Sequence, residues 1–296
     1  MARGDTLAEP ASVDGLRPGD HACLTFSDAD ERLDIVAAFV RDGLAASQRV
    51  LCYVESSTPT AFSVELAERG LPVDASVASG QLVVAGSGEH FLAGGAFGAD
   101  RMLGLIESEL RTAHGDGYAG LRLTADMCWA LRPAAGVEQL IAFENQMARL
   151  LTTSSALAVC QYDRERFDTV TLASVTAAHG QAVAAITYHD DAMLRICRQY
   201  APPGIRIAGE LDFRHLPVLA RALTEALGLD PVIHVNLRQL RFIDGAVGAA
   251  IIQAAAGLTD GKRMLVTCQP LVGKVLAAIG ADELPQLQIS VRDVEQ

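Results

Sequence analysis

The sequence predicts an α/β protein built from two domains of unequal size. Strand-like and helix-like segments alternate along almost the whole chain, the pattern of helices layered on a sheet. At 296 residues the chain exceeds the usual size of a single domain, and half of its residues are hydrophobic, enough for real cores. The charge is also uneven. Residues 1–190 hold 13 basic and 25 acidic residues, while residues 191–296 hold 11 of each.

The elements follow in order. His21–Phe26 reads as a strand, followed by a helix whose apolar positions Leu33, Val36, Ala37, Val40 and Leu44 share one face. Val50–Val54 is a short buried strand. A helix over Ala61–Arg69 stops at Gly70, with Pro72 soon after. Leu82–Val84 is the next strand, and the glycine-rich stretch from Gly86 to Gly98 is expected to be a loop. A helix over Asp100–His114, a strand at Leu121–Thr124, a helix over Gly136–Leu151 and a strand at Ala156–Tyr162 complete the first part. The polar run Tyr188-His189-Asp190-Asp191 marks the break, where the charge balance changes as well. Beyond it, Leu194–Arg198 and Gly204–Ala208 flank the turn Pro202-Pro203-Gly204. A helix carrying Leu216, Leu219, Ala220, Leu223 and Leu227 follows. Val232–Leu237, Val247–Ala256, Met264–Thr267 and Leu271–Ile279 then alternate strand and helix.

Composition excludes several classes. An acidic first part repels phosphate backbones, so nucleic acid is not an expected partner. Lys262 and Lys274 are the only lysines, so there is no polybasic tract for a membrane surface, and no apolar run reaches bilayer-spanning length. Met1–Pro10 is polar and acidic, unlike a signal peptide. Six cysteines without a CxxC pair (Cys23, Cys52, Cys128, Cys160, Cys197 and Cys268) mostly sit in apolar runs and read as buried, reduced thiols. A cytoplasmic protein is expected.

No P-loop follows the first strand. Ser27-Asp28-Ala29-Asp30-Glu31-Arg32 lacks the glycines and lysine that cradle a triphosphate, and Gly86-Ser87-Gly88 is only a weak phosphate signal. No GxSxG elbow or HExxH pair occurs. His21 and Cys23, two apart, share one face of their strand, and Cys128 and Cys160 lie on or beside two other strands. That set reads either as a soft metal or thiol site, or as a satisfied histidine among packed thiols. The close ligand pairs of structural zinc sites are missing, which favours packing.

Glu144 is more informative, because it falls on the apolar face that Val137, Leu140, Ile141, Met147 and Leu151 define. A carboxylate there must be paired, hydrogen-bonded or protonated. It either braces a structural network or lines a ligand pocket. Asp126 and Trp129 follow a strand end, where α/β sheets commonly place ligands, although ordinary core packing is the better account of the tryptophan.

Five motifs in order (Gly19-Asp20-His21-Ala22-Cys23, Asp126-Met127-Cys128-Trp129, Phe143-Glu144, Cys160-Gln161-Tyr162-Asp163 and His179) resemble the MEDS domain over residues 13–189. The resemblance implies a RecA/KaiC-like α/β core without a working nucleotide loop. It further implies a sensory rather than catalytic role, with His21, Cys23, Asp126, Trp129, Glu144, Cys160, Tyr162, Asp163 and His179 around a small-molecule ligand. A glutamate is usual where Asp126 stands, and Gly180 replaces a common proline.

Residues 193–290 resemble the STAS domain of anti-sigma-factor antagonists. The carrying residues are Gly209-Glu210-Leu211-Asp212, Val235-Asn236-Leu237 and Phe242-Ile243-Asp244-Gly245-Ala246-Val247-Gly248. The resemblance implies docking on an anti-sigma factor, a HATPase-type serine kinase, through Gly209, Glu210, Asp212, Asp244, Gly245, Ala246, Val247 and Gly248. The phosphoacceptor hydroxyl of that family falls at Gly245 or Ala246, and neither has one. Asp244 precedes a helix start, where it can cap free backbone N–H groups while still meeting a partner. The expectation is therefore a signalling regulator of transcription, not an enzyme, with no cofactor and no metal, which could form oligomers. The alternative is a metal or thiol redox sensor, or an enzyme, using His21, Cys23, Cys128 and Cys160.

Overall fold

The computed structural model describes residues 10–259 and 261–292; the polar opening segment 1–9 lies outside them. The chain divides between Ala184 and Ala185 into two compact units.

The first unit runs β1 (His21–Phe26), α1 (Ala29–Ala45), β2 (Arg49–Val54), α2 (Pro59–Glu68), α3 (Val73–Ala78), β3 (Leu82–Gly86), α4 (Ser87–Phe91) and α5 (Ala99–Gly115). It continues with β4 (Leu121–Asp126), α6 (Leu140–Thr152), β5 (Ala156–Asp163), α7 (Thr169–Ala178) and the short β6 (Gln181–Ala182). Its strands form one parallel sheet in the order β3-β2-β4-β5-β1-β6. β2, β4 and β5 are buried along nearly their whole length, as strands covered by helices on both faces must be.

The second unit runs β7 (Thr187–Asp190), β8 (Leu194–Tyr200), β9 (Pro203–Leu211), α8 (Leu216–Leu229), β10 (Val232–Ile243), α9 (Gly245–Ala256), β11 (Arg263–Cys268), α10 (Pro270–Ala278) and β12 (Leu287–Val291). Its sheet, ordered β12-β11-β10-β9-β8-β7, is parallel from β12 to β9 and antiparallel from β9 to β7. Alternation of buried and exposed positions along β11 shows a sheet with only one fully covered face.

Two expectations are corrected, and one helix was not expected. The glycine-rich stretch is not wholly a loop: Ser87–Phe91 is α4, anchored by buried Phe91 and closed by Arg101, whose guanidinium donates to the carbonyls of His90 (3.1 Å) and Phe91 (2.7 Å). Gly94 and Gly95, at φ of +79° and +82°, then make the turn that does occur. The boundary moves upstream of Asp190, because Thr187–Asp190 pairs with β8 and belongs to the second sheet. α7 has no expected counterpart at all. Thr169-Val-Thr-Leu reads as a strand by residue type, yet Asp168 caps a helix there, its Oδ1 accepting from the N–H groups of Val170 and Thr171, both at 3.0 Å.

Among the described residues no helix is long and apolar enough to cross a membrane. All six cysteines are buried and free.

Candidate functional site

The register of β1 against β5 places His21 opposite Ala158 and Cys23 opposite Cys160. Side chains two apart on a strand share a face, so His21, Cys23, Cys160 and Tyr162 all project from one side of the sheet. α6 and α7 cover that side. α6 presents Leu140, Phe143, Met147 and Leu151 to the core, and Glu144 comes with them because it lies on the same stripe. α7 ends at His179, and the next N–H, from Gly180, donates to the His21 carbonyl at 3.1 Å, which ties the helix end to the start of β1.

The result is a polar cluster inside an apolar layer. Glu144 is fully buried. Its Oε2 lies 3.2 Å from His21 Nε2, 3.6 Å from His179 Nε2 and 3.7 Å from Cys160 Sγ. Its Oε1 accepts a hydrogen bond from the Tyr162 hydroxyl. Cys160 Sγ is also 3.5 Å from His21 Nε2, and the two imidazole rings face each other with centroids 4.0 Å apart.

The electrostatics follow from this crowding. Burial by itself would raise the Glu144 carboxyl, but His179, His21 and the Tyr162 hydroxyl together hold it below the usual carboxylate value. Burial pushes the Cys160 thiol and the Tyr162 phenol well up, and the neighbouring carboxylate adds to both. Burial pulls His179 below its ordinary value, against the pull of Glu144. Cys23, one step along β1, is pushed up to about 12 by burial and then by Glu144. The cluster thus favours an ionised carboxylate at its centre.

The expected ligand residues separate into two groups. His21, Glu144, Cys160, Tyr162 and His179 converge, and Cys23 lies beside them opposite Cys160 without giving an atom to the cluster. Asp126, Trp129 and Asp163 do not, and each has a structural explanation. Asp126 caps the turn after β4, accepting from Cys128 N–H at 3.0 Å and Ser56 N–H at 2.9 Å, with Arg32 Nη1 at 3.5 Å. Burial would raise its carboxyl, but those donors hold it below the ordinary value. Trp129 is completely buried and stacks on Phe91 with centroids 4.8 Å apart. Asp163 accepts from the Glu165 N–H at 2.9 Å in the turn after β5. Cys128 follows β4 in the Asp126-capped turn, so it is no part of the cluster that the alternative reading required.

One network had no sequence signal. On the opposite face of β5, Gln161 accepts from Arg32 Nη1 at 3.0 Å and donates to Thr124 Oγ1 at 2.8 Å, all three side chains buried. In the sequence Arg32 stands only as the end of an acidic run. Only the alternation of Cys160, Gln161 and Tyr162 along a strand buried on both faces could have indicated a polar partner beneath it.

At the start of α1, where a nucleotide-binding fold would present free N–H groups to a phosphate, the Asp28 side chain accepts from the Glu31 N–H at 2.8 Å. A carboxylate occupies that end of the helix, and Asp30 and Glu31 add charge of the same sign. Titration calorimetry with magnesium ATP is expected to give no saturable heat; a micromolar constant lost on deleting the first unit would contradict this.

In the second unit, Asp244 caps α9, its Oδ1 accepting from Val247 N–H at 2.9 Å, while its Oδ2 accepts from Phe213 N–H at 2.8 Å. Register places Glu210 beside Phe242. Glu210, Asp212, Asp244, Gly245 and Ala246 therefore gather at one end of the sheet, flanked by exposed Phe213 and Phe242. Val247 and Gly248 leave the expected docking set, since both are buried and Val247 is core. Gly209 has a backbone role: its φ is +103°, and a Cβ there would lie 2.0 Å from the Met193 carbonyl oxygen.

The first unit is thus a parallel α/β sheet whose first helix is capped by an acidic side chain, with a buried His–Cys–Glu cluster under two helices. The MEDS family, described as the methanogen/methylotroph, DcmR sensory domain, matches residues 20–180. That is more than half of the chain, which belongs to this family. None of the curated proteins matches it. Among solved structures it is similar to a KaiC-like protein from the hyperthermophilic archaeon Pyrococcus horikoshii OT3. The identity is 11%, the TM-score 0.45, and the match covers 66% of this chain and 81% of that one.

Proposed function

We propose that the chain is a cytoplasmic signalling regulator in which the sensory unit governs a STAS-like unit that docks on an anti-sigma factor of the HATPase-type serine kinase class. The observation that carries this reading is Asp244. Its two oxygens join the β9–α8 turn to the start of α9, and the surface beside them exposes Phe213 and Phe242. Exposed aromatics around a fixed carboxylate suit a protein partner better than a small substrate.

Gly245 and Ala246 are exposed at that helix start and carry no hydroxyl, so phosphorylation cannot switch this surface. Control then falls to the first unit. Incubation with a cognate kinase and ATP is expected to leave residues 242–248 unmodified while binding persists. Ala246→Ser should become a substrate. Ala246→Glu should weaken binding on the order of tenfold or more, by placing like charge beside Asp244. Undiminished binding by Ala246→Glu would show that this helix start is not the interface.

A further inference from the structure

Four side chains from four different elements bring one donor atom each to a common centre under α6 and α7. His21 opens β1, Glu144 lies on α6, Cys160 on β5, and His179 closes α7. One donor atom from each lies within 4.8 Å of all the others. We propose that His21 Nε2, Glu144 Oε2, Cys160 Sγ and His179 Nε2 form a closed four-coordinate site for a divalent cation of the zinc class.

The spacing is the first argument. Ligand bonds of about 2.0–2.3 Å in a tetrahedron put neighbouring donor atoms roughly 3.3–3.8 Å apart. The separations here are 3.2 Å (His21 to Glu144), 3.5 Å (His21 to Cys160), 3.6 Å (His179 to Glu144) and 3.7 Å (Cys160 to Glu144). A carboxylate and an imidazole paired for their own sake approach closer than 3.6 Å. The three longer distances leave room for an ion at the centre.

The second argument is where the lone pairs point. His179 Nδ1 is 2.7 Å from the Val175 carbonyl, which can only accept, so Nδ1 carries the proton. Its Nε2 faces the Glu144 carboxylate at 3.6 Å, too long for a hydrogen bond, and this atom is buried without a hydrogen-bond partner. A buried ring nitrogen left unsatisfied beside a carboxylate in an apolar layer is costly unless something positive lies between them. Fixing Nδ1 on a backbone carbonyl is also how proteins orient a metal-binding imidazole.

Third, the two Glu144 oxygens do different things. Oε1 takes the Tyr162 hydroxyl, which leaves Oε2 free to face the centre. Tyr162 thus orients a ligand from outside the coordination sphere. The donor set of two imidazoles, a thiolate and a carboxylate selects a borderline ion such as zinc over magnesium or calcium. On binding, the Cys160 thiol gives up its proton to solvent, and thiolate plus carboxylate then balance the two positive charges of the ion. A site with four protein ligands and no open position holds structure or senses occupancy; it does not activate water.

The sequence favoured packing over a metal, and its alternative set of His21, Cys23, Cys128 and Cys160 shares only two residues with this site, because ligands on separate elements lack the close spacing of zinc motifs. The test uses the full chain purified without a histidine tag. Elemental analysis is expected to find one zinc-class ion per chain. After chelation, added cobalt(II) should give intense tetrahedral d–d bands with a thiolate-to-cobalt charge-transfer band. Cys160→Ser should lose the charge-transfer band and His179→Gln the bound metal, while Cys52→Ser, a buried thiol outside the cluster, should keep both. Tryptophan fluorescence checks that each variant is folded. If a ligand variant unfolds, the cobalt spectrum of the unaltered chain decides alone. Folded, unaltered protein that takes up neither ion overturns the proposal, and so does a charge-transfer band that survives in Cys160→Ser.

Discussion

Glu144→Ala is expected to destabilise the first unit by about 3–5 kcal/mol, because it removes one partner of a buried charged network and strands the others. The Tyr162 hydroxyl and Cys160 Sγ would lose an acceptor, and His21 its carboxylate partner, inside an apolar layer. A loss of that size is a large fraction of the stability of an ordinary domain. Trp129 makes the measurement clean. It is the only tryptophan in the chain and is buried in the first unit, so its fluorescence during urea unfolding follows that unit alone. Glu144→Gln keeps the volume and an acceptor for Tyr162, and should fall between Ala and the original residue. A Glu144→Ala midpoint within about 0.5 kcal/mol of the unaltered protein would remove the carboxylate from its central place.

The second large effect is expected at Gly209, where Gly209→Ala should cost the second unit about 2–5 kcal/mol. Two separate penalties meet there. A φ of +103° is open to glycine and strained for any residue with a Cβ. The added Cβ would also press to 2.0 Å from the Met193 carbonyl oxygen, the same atom that accepts the Glu210 N–H at 2.9 Å. Relief must therefore break the β8–β9 ladder next to Glu210 and Asp212, so the proposed binding of an anti-sigma factor should fall together with the melting temperature. Gly245→Ala is the control, since its Cβ would meet nothing within 4 Å. Equal melting temperatures for the two variants would sink the argument.

Most elements of both sheets were legible because hydrophobic period and strand length agree with burial. α1 and α8 show their apolar stripes plainly, and β2 and β5 are short apolar runs that can only be interior. What escaped was decided by single side chains acting on the backbone. Asp168 turns a threonine-rich stretch into α7, and Arg101 closes α4 inside a glycine-rich segment. The site divides the same way. Glu144 stood out because a charge on an apolar stripe contradicts its surroundings. Asp126 and Trp129 stood out for a weaker reason, their place after a strand, and that place turned out to serve capping and packing. Period and propensity report which face a residue takes; they do not report which distant residue shares it. Only the parallel register of β1 with β5 and the covering helices bring His21, Cys160 and His179 together.

The burial of all six thiols has a practical side. Burial pushes Cys52 up to about 12 and Cys268 up to about 11, so neither offers thiolate to an alkylating reagent near neutral pH. The folded protein is thus a blank surface for maleimide chemistry, with no native cysteine to remove first. A single cysteine introduced at exposed Ala246 becomes the one reactive handle on the molecule. A dye or spin label placed there would sit on the proposed interface and report the arrival of a partner directly.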